Sequence, residues 1–442
     1  MDTSQLDIMV LGGGPAGAAT ALGLVQLGYR VGLATESRPF AAMEGISQRV
    51  IDGLRGAGLH RALATLPEAS SRQVTWNGSS SSANQETLVD RQRFDLAILE
   101  DLRQGGVEVF EARVSSIKED EDGWSLSLQN NGQNHQLTGR FMVEARGRSA
   151  PAMGITKTKG PDTLSLLQYW QGPCKKPFSA VESFEEGWAW MAAGKDGRRY
   201  LQLTLDAKSI ELPSKAELPR FCEARFRHLK QAVPFIEDAV ATDQVLARTS
   251  ASVLYSEVIG KNWIRVGDAA MAVDPLSGNG IFQALSSALI APAVVNSLLK
   301  DSGVVEIAQQ FYQDRVSTLF YRFARIGRDF YKMETGWANQ AFWQLRSAWP
   351  DSQEVHATVE PGSWRIEHRP VVDQGMIRMV EVLVTPDQPL GIWHLQGIEL
   401  ASVMKVLAAL PDNPTGELER VLGFSRQQAE QVYRWVQSQD FF

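Results

Sequence analysis

The stretch LDIMVLGGGPAGAATALGLVQLGYRVGLATE, residues 6–36, limits what the chain can fold into more than any other. LDIMVL is short, apolar and β-branched enough for a buried strand. Pro15 to Gly28 has helical character, with the small residues Ala16, Gly17, Ala18 and Ala19 in its first turn. YRVGLA predicts a second buried strand, ending at the acidic Glu36. Strand, tight glycine turn, helix and strand make a βαβ unit, the opening of a Rossmann-like α/β domain.

Within that unit Gly12, Gly14 and Gly17 satisfy G-x-G-x-x-G. The first glycine allows the tight turn, the second lets the backbone approach a pyrophosphate, and the third lets helix pack closely on strand. The helix N-terminus supplies free N–H groups and positive dipole to phosphates. Glu36 lies 24 positions after Gly12, where a carboxylate takes a ribose hydroxyl. A glycine-rich turn alone would carry little weight. With strand, helix and terminal acid all in place, a dinucleotide site is expected.

At 442 residues the chain exceeds one usual core, so two or three structural regions are expected. Charged residues at 21% and hydrophobic ones at 44% are ordinary for a soluble globular enzyme. A formal net charge of −7 gives no general attraction to nucleic acid or anionic membrane, so neither is expected as a partner. Cys174 and Cys222 are the only cysteines, which supports neither a disulfide framework nor a metal cluster and fits a reducing compartment. The six histidines are scattered, with no pair at i, i+3 or i, i+4, and no metal site is expected. The N-terminus carries Asp2 and Asp7 and no basic residue before Arg30, the reverse of a signal peptide. Residues 279–299 hold no charge and are long enough to span a bilayer. They also hold Gln283, Ser286, Ser287, Asn296, Ser297 and a mid-run Pro292, which predicts a buried core helix instead. The expectation is a cytoplasmic protein without a membrane span.

Further along, EGISQRVIDGLRGAGLHRAL (44–63) has helical spacing, with Gly58 as its C-cap. NGSSSSANQET (77–87) is loop-like, and RQRFDLAILEDLRQGG (91–106) is an amphipathic helix closed by Gly105-Gly106. VEVFEARVSSIKED and GWSLSLQ predict a strand pair, followed by the short strand RFMVEA. From residue 160 the character changes: TLSLLQYWQGP, GWAWMAAG and RRYLQLTL read as antiparallel strands before a charged helix at 217–233. The nucleotide-domain pattern returns at NWIRVGDAAMAVDP, so the first domain is interrupted by the second. The expected division is 1–160 and 246–300 for the two parts of the nucleotide domain. An antiparallel-sheet substrate domain takes 161–245, and a mostly helical, aromatic-rich region 301–442.

A second strong signal is WIRVGDAAMAVDPLSGNGIFQAL, residues 263–285. IRVGD is a strand ending in Gly267-Asp268, followed by Pro275, Gly278 and Gly280 at the start of the uncharged helix. A carboxylate at a strand end can accept hydrogen bonds from a polyol, and a glycine-rich helix start presents N–H groups to an anion.

On these motifs the chain resembles the glutathione-reductase-type flavoproteins of the aromatic-hydroxylase, halogenase and geranylgeranyl-reductase group, over residues 5–330. The resemblance implies FAD. Its ADP half would lie on Gly12, Gly14, Pro15, Ala16 and Gly17, with Glu36 and Ser37 at the adenosine ribose. Gly267 and Asp268 would hold the ribityl chain. Pro275, Gly278, Asn279, Gly280 and Ile281 would face the flavin pyrimidine, where the helix dipole favours the anionic reduced ring. Arg91 in LVDRQRFD matches the group's D-R-x-x-F-D motif, Glu44 joins the cofactor set, and Val114 stands where a backbone clamp on adenine lies. VEARGRS (143–149) replaces the group's D-A-T-G, leaving the turn at Ala145 and Gly147 but changing the side chains around it.

Trp188 and Trp190 alternate in GWAWMAA and so share one face of a strand. They are either sheet core or a wall of the substrate cavity. The doublet resembles the W-x-W-x-I-P motif of flavin halogenases, but Ala192-Ala193 replace Ile-Pro and the chain has no lysine before Lys118. Halogenases of that kind need such a lysine, so halogenation is not expected. The aromatic segment 311–346 and the tail beyond it look most like the flavoproteins that mature peptidyl tryptophylquinone cofactors. That resemblance implies an FAD-dependent monooxygenase that hydroxylates a tryptophan of a partner polypeptide, through a flavin hydroperoxide. Its further reactants would be O2 and electrons from NAD(P)H or a separate reductase. The alternatives are a small-molecule aromatic hydroxylase, an isoprenoid reductase and a flavin-binding module without turnover. Glu144, Asp274 and Tyr331 are candidates for a catalytic base by chemistry alone, and oligomeric state is left open.

Overall fold

A computed structural model describes residues 3–130, 132–278, 280–409, 411–439 and 441. The chain forms two compact units, Met1–Pro292 with Val316–Ser352, and Ala293–Arg315 with Gln353–Phe442.

The first unit is built on a seven-stranded sheet. Its strands are β1 (Thr3–Leu11), β2 (Val31–Thr35), β6 (Glu108–Glu111), β7 (Arg113–Asp120), β8 (Gly123–Asn130), β9 (Gln133–Glu144) and β17 (Trp263–Arg265). The order is β6-β2-β1-β9-β8-β7, with β17 pairing the far end of β9. β6, β2, β1, β9 and β17 run parallel, and β7 and β8 are antiparallel. Ile8, Met9, Val10 and Leu11 are all buried rather than alternating. That is the mark of a parallel strand covered on both faces, and it explains the oily run LDIMVL. RFMVEA, expected as a short strand, is the end of the twelve-residue β9. Leu11 pairs with Ala34 and Glu144, and Glu144 pairs with Arg265. Four strands therefore end on one row, and Gly12, Thr35, Ala145 and Val266 all emerge from the same edge. Helix α1 (Pro15–Gln26) starts there with Pro15 at its first turn, where a missing N–H costs nothing.

A second, eight-stranded sheet has the order β15-β11-β14-β13-β12-β4-β5-β3. Its strands are β3 (Met43–Ile46), β4 (Ser70–Trp76), β5 (Ser79–Asp90), β11 (Thr163–Gln171), β12 (Phe178–Phe184), β13 (Gly187–Ala193), β14 (Arg198–Asp206) and β15 (Val240–Thr249). All neighbours are antiparallel except β4 and β12. Three strands thus come from 43–90, outside the 161–245 segment that the sequence pattern assigns to this sheet. Residues 77–87, expected as loop, are a turn and most of β5. Asn77 and Gly78 have φ of +50° and +72°, a two-residue hairpin turn that holds the next strand in register. One face of the sheet packs Leu166, Met191, Leu201 and Leu203 against Phe226 and Phe235, from α5 (Leu218–His228) and α6 (Val233–Ile236). The remaining elements before residue 280 are α2 (Gln48–Gly56), α3 (His60–Ala64), α4 (Arg91–Gln104) and a small sheet of β10 (Lys157–Lys159), β16 (Val253–Tyr255) and β18 (Met271–Ala272).

Helix α7 (Gly280–Lys300) is long and apolar enough to cross a membrane, yet 61% of its most apolar window is buried within the protein. Thr20 of α1 donates to the Ala288 carbonyl, and a Cβ on Gly23 would lie 2.6 Å from Pro292. After α7 come α8 (Val305–Lys332) and α9 (Ala341–Ala348).

The second unit holds a hairpin of β19 (Arg365–Asp373) and β20 (Met376–Val384), the short pair β21 (His394–Leu395) and β22 (Ile398–Glu399), and three helices, α10 (Leu400–Leu407), α11 (Pro414–Leu422) and α12 (Arg426–Gln437). Leu383, Val403, Met404, Leu418, Val432 and Phe441 form its core. Region 301–442 carries helices α8 to α12, as its pattern predicts, but the stretch between α9 and α10 holds the β19–β20 and β21–β22 pairs instead.

Candidate functional site

The shared edge of the parallel strands brings the separate motifs together. Gly12 has φ +113°, and a Cβ on it would lie 2.4 Å from the Ala145 carbonyl oxygen. A Cβ on Gly17 would lie 1.9 Å from the Gly12 oxygen, which is the close packing of helix on strand that this glycine permits. A Cβ on Gly267 would lie 2.7 Å from the Ala16 Cβ, and one on Gly147 would lie 3.9 Å from the Asp268 Cβ. Ala145 donates its N–H to Leu11 and Gly267 to Ser287 Oγ, which ties both turns to their neighbours. Gly12, Ala16, Gly17, Ala145, Gly147, Gly267 and Asp268 therefore form one cluster at the N-terminus of α1.

Whether FAD fits this cluster can be tested at two glycines. Gly14, the N-cap of α1, has ordinary extended backbone, and a Cβ on it would meet nothing within 4 Å. Gly280, at the start of α7, is equally open. Neither protein packing nor backbone strain requires glycine there. A cradle that a Cβ would fill accounts for both, as a pyrophosphate and a flavin edge would need. Pro275 and Gly278 precede α7 in a short turn, with Gly278 left-handed at φ +62°. Ile281 is half-buried on the first turn of α7, and Asn279 lies outside the described residues.

Glu36 and Ser37 are exposed just past β2, and no described residue hydrogen-bonds to the Glu36 carboxylate. Thr35 pairs with Glu111, so the chain enters β7 beside this end and Val114 lies near it. Arg91 is buried. Its guanidinium donates to Glu44 at 2.7 Å and to Asp95 at 2.8 and 3.0 Å, and Arg38 reaches the other Asp95 oxygen. Arg91 thus fixes the carboxylate of Glu44, whose charge acts on Asp268. Asp268 is recessed, with Arg148 Nε 3.5 Å away. Burial raises its pKa, Glu44 adds to that, and Arg148 and Arg91 oppose it.

The second sheet places its other face nearby. Trp188 is 3% exposed in a cluster with Val181, Tyr331, Phe342 and Trp343, while Trp190 is half-buried and donates to Glu86 at 3.4 Å. Trp188 Nε1 donates to the Tyr331 hydroxyl at 3.2 Å, and that hydroxyl donates to Asp274 Oδ1 at 2.9 Å. Asp274 also caps the Pro275 turn by accepting from the Leu276 N–H. Two of the three candidate bases are therefore in contact. Glu144 is apart from them, 1% exposed and bound to its neighbour Arg146. Sequence reasoning did not find Asp95, Arg148 or the buried Arg346–Asp206 pair. Asp95 closes the D-R-x-x-F-D motif and could have been read there. The others meet partners more than 100 positions away.

Parallel strands ending on a glycine cradle, with a carboxylate and an open helix start across from it, define a flavin-dependent oxidoreductase. The chain belongs to the FAD binding domain family, which matches residues 5–316. FAD is its cofactor. Among solved structures, a peptidyl tryptophan dihydroxylase, QhpG, essential for tryptophylquinone cofactor biogenesis, is 49% identical with a TM-score of 0.86, covering 99% of this chain and 100% of that one. A tryptophan 2-halogenase of Chondromyces crocatus is 26% identical over 367 residues, 75% of this chain and 68% of the halogenase. A putative FAD-dependent oxidoreductase, LodB, of Marinomonas mediterranea is 23% identical over 373 residues, 79% of this chain and 99% of that protein. The chain is an FAD-dependent monooxygenase of the aromatic-hydroxylase and halogenase group.

Proposed function

We propose that this monooxygenase hydroxylates the indole ring of a tryptophan in a partner polypeptide, as a step in maturing a tryptophylquinone cofactor. The observation that carries this reading is the 49% identity to QhpG along the whole chain, tail included. The chain also has no lysine before Lys118, which speaks against the halogenating alternative. When bound, FAD supplies the redox chemistry that activates O2, with electrons from NAD(P)H or a separate reductase. The chain's own part is binding, orientation and exclusion of water. Gly12, Gly14, Pro15, Ala16 and Gly17 hold the pyrophosphate, Glu36, Ser37 and Val114 the adenosine end, and Asp268 the ribityl chain. Arg91 and Glu44 brace the middle, and Pro275 to Ile281 meet the flavin ring. Trp190 forms part of the substrate wall. An electron-rich ring suits an electrophilic oxygen donor, and indole is such a ring.

The test offers reduced enzyme and O2 the unmodified precursor of a tryptophylquinone-bearing subunit and, separately, free tryptophan and simple phenols. A mass gain of one or two oxygen atoms on the precursor alone is expected. Efficient hydroxylation of the small aromatics, with the polypeptide untouched, would overturn the reading in favour of a small-molecule hydroxylase.

A further inference from the structure

Asp274 sits directly before the Pro275–Ser277 turn, and its Oδ1 accepts two hydrogen bonds at 2.9 Å, from Leu276 N–H and the Tyr331 hydroxyl. An N-cap needs only the first of these. The second belongs to an arrangement with a fixed direction. The Trp188 indole N–H can only donate, so it occupies an acceptor site of the Tyr331 oxygen and leaves that hydroxyl's proton pointing at Asp274. Trp188 and Tyr331 are 3% and 2% exposed, and the Tyr331 ring is boxed edge-on by Phe342 and Trp343. Two rigid elements, β13 and α8, thus fix Oδ1 of a half-buried carboxyl group as a double acceptor, beside the turn that leads into the open start of α7.

We propose that Asp274 faces the reacting ring, offsets the positive charge the ring acquires as oxygen adds, and takes the proton the ring then loses, with Tyr331 as its positioning residue. This rests on the reading of the chain as an aromatic hydroxylase. Oxygen forms a bond to a ring carbon, and the ring becomes cationic. The carbon–hydrogen bond at that carbon breaks, its electron pair restores the aromatic ring, and the proton passes to the Asp274 carboxylate, which later releases it to solvent. The oxygen and electrons are those of the parent reaction. A carboxylate in a recessed site is worth most at the moment charge develops, because little water competes there. Burial raises the Asp274 pKa above the usual carboxylate value, and Leu276 N–H, Arg346, Tyr331 and Arg148 oppose that rise, so the group binds a proton more readily than a free carboxylate. Glu144, held by Arg146, has no such position.

Asp274→Asn keeps an acceptor for Leu276 and Tyr331 but removes the charge and the base. With the precursor polypeptide as substrate, kcat for hydroxylation should fall about 10²-fold or more. FAD content and calorimetric affinity for the precursor should stay within about threefold of wild type. Tyr331→Phe removes a hydrogen bond that lowers the Asp274 pKa, so the acid limb of its kcat profile should move to higher pH. Arg346 and Arg148, two charged groups that act on Asp274, are unchanged in that variant. An Asp274→Asn enzyme that hydroxylates within about threefold of the wild-type rate overturns the assignment while leaving the parent reading intact. If that variant loses FAD, an unshifted acid limb in Tyr331→Phe overturns it instead. A wild-type enzyme that leaves the precursor tryptophan untouched overturns the parent reading, and the base with it.

Discussion

At Gly14 the backbone is extended (φ −74°, ψ 179°), and a side chain would find no protein atom within 4 Å. At Gly17, three positions on, a Cβ would sit 1.9 Å from the Gly12 oxygen. The two glycines serve different masters, and substitution separates them. Gly14→Val should cost the apoprotein only about 1 kcal/mol, for replacing a favoured N-cap residue with a poor one, yet abolish FAD retention. Gly17→Ala should destabilise the apoprotein itself by about 1–3 kcal/mol through overpacking. Thermal melts of the apoproteins beside absorbance-based FAD stoichiometry check both. Full FAD occupancy in Gly14→Val would show that the pyrophosphate lies elsewhere. Asp268→Ala should weaken FAD binding by about 1.5–3 kcal/mol, the loss of a hydrogen bond to a charged group, measured by equilibrium titration. These residues were legible because their demands are local: a tight turn, a close approach and an acid at a strand end all fall within one βαβ unit. Tyr331 and Asp274 were nameable only by chemical type. They meet across 57 positions, and nothing in either neighbourhood announces the other.

Elements were legible where their pattern was apolar, and less so where it was polar. The parallel strands and α1 stand out as oily runs between glycines. β5 does not: its serines and its asparagine are poor strand formers, and most of them lie on the solvent side. The Asn77-Gly78 turn was the one local sign of that hairpin. Helix α7 shows the opposite ambiguity, since an uncharged run serves a core helix or a membrane span equally well. Its polar residues resolve it. Ser287 is 2% exposed and accepts from the Gly267 N–H at 2.9 Å, fixing the turn that carries Asp268. Ser287→Ala leaves that N–H buried without a partner, which should cost about 1–3 kcal/mol. A lower urea midpoint at unchanged m-value would report this, and weaker FAD binding should accompany it. An unchanged midpoint would mean that the turn is held by packing alone.

The whole molecule divides largely where no composition shift marks it. Two of the three boundaries between the units, Pro292/Ala293 and Arg315/Val316, fall inside the continuous helices α7 and α8, and the third, Ser352/Gln353, lies between α9 and β19. A boundary inside a helix leaves no linker-like stretch to read, because the backbone hydrogen bonds run straight through it. Every residue assigned to the cofactor lies in the first unit. FAD binds the native state and not the unfolded chain, so it should stabilise by mass action, by about 2.7 kcal/mol at a hundredfold excess over Kd. The melting temperature of the stripped protein should therefore climb with added FAD. The cradle at Gly12–Gly17 and the acid at Glu36 lie where the ADP half is expected, and FMN lacks the AMP part of it while keeping one phosphate. FMN at the same concentration should leave the melt almost unmoved and should fail to restore the yellow holoprotein after gel filtration. Equal protection by FMN would show that the adenosine end, Glu36 included, contributes nothing to binding. Protection by FAD alone would assign the main grip to the adenosine end, leaving the flavin ring held chiefly by the turn before α7.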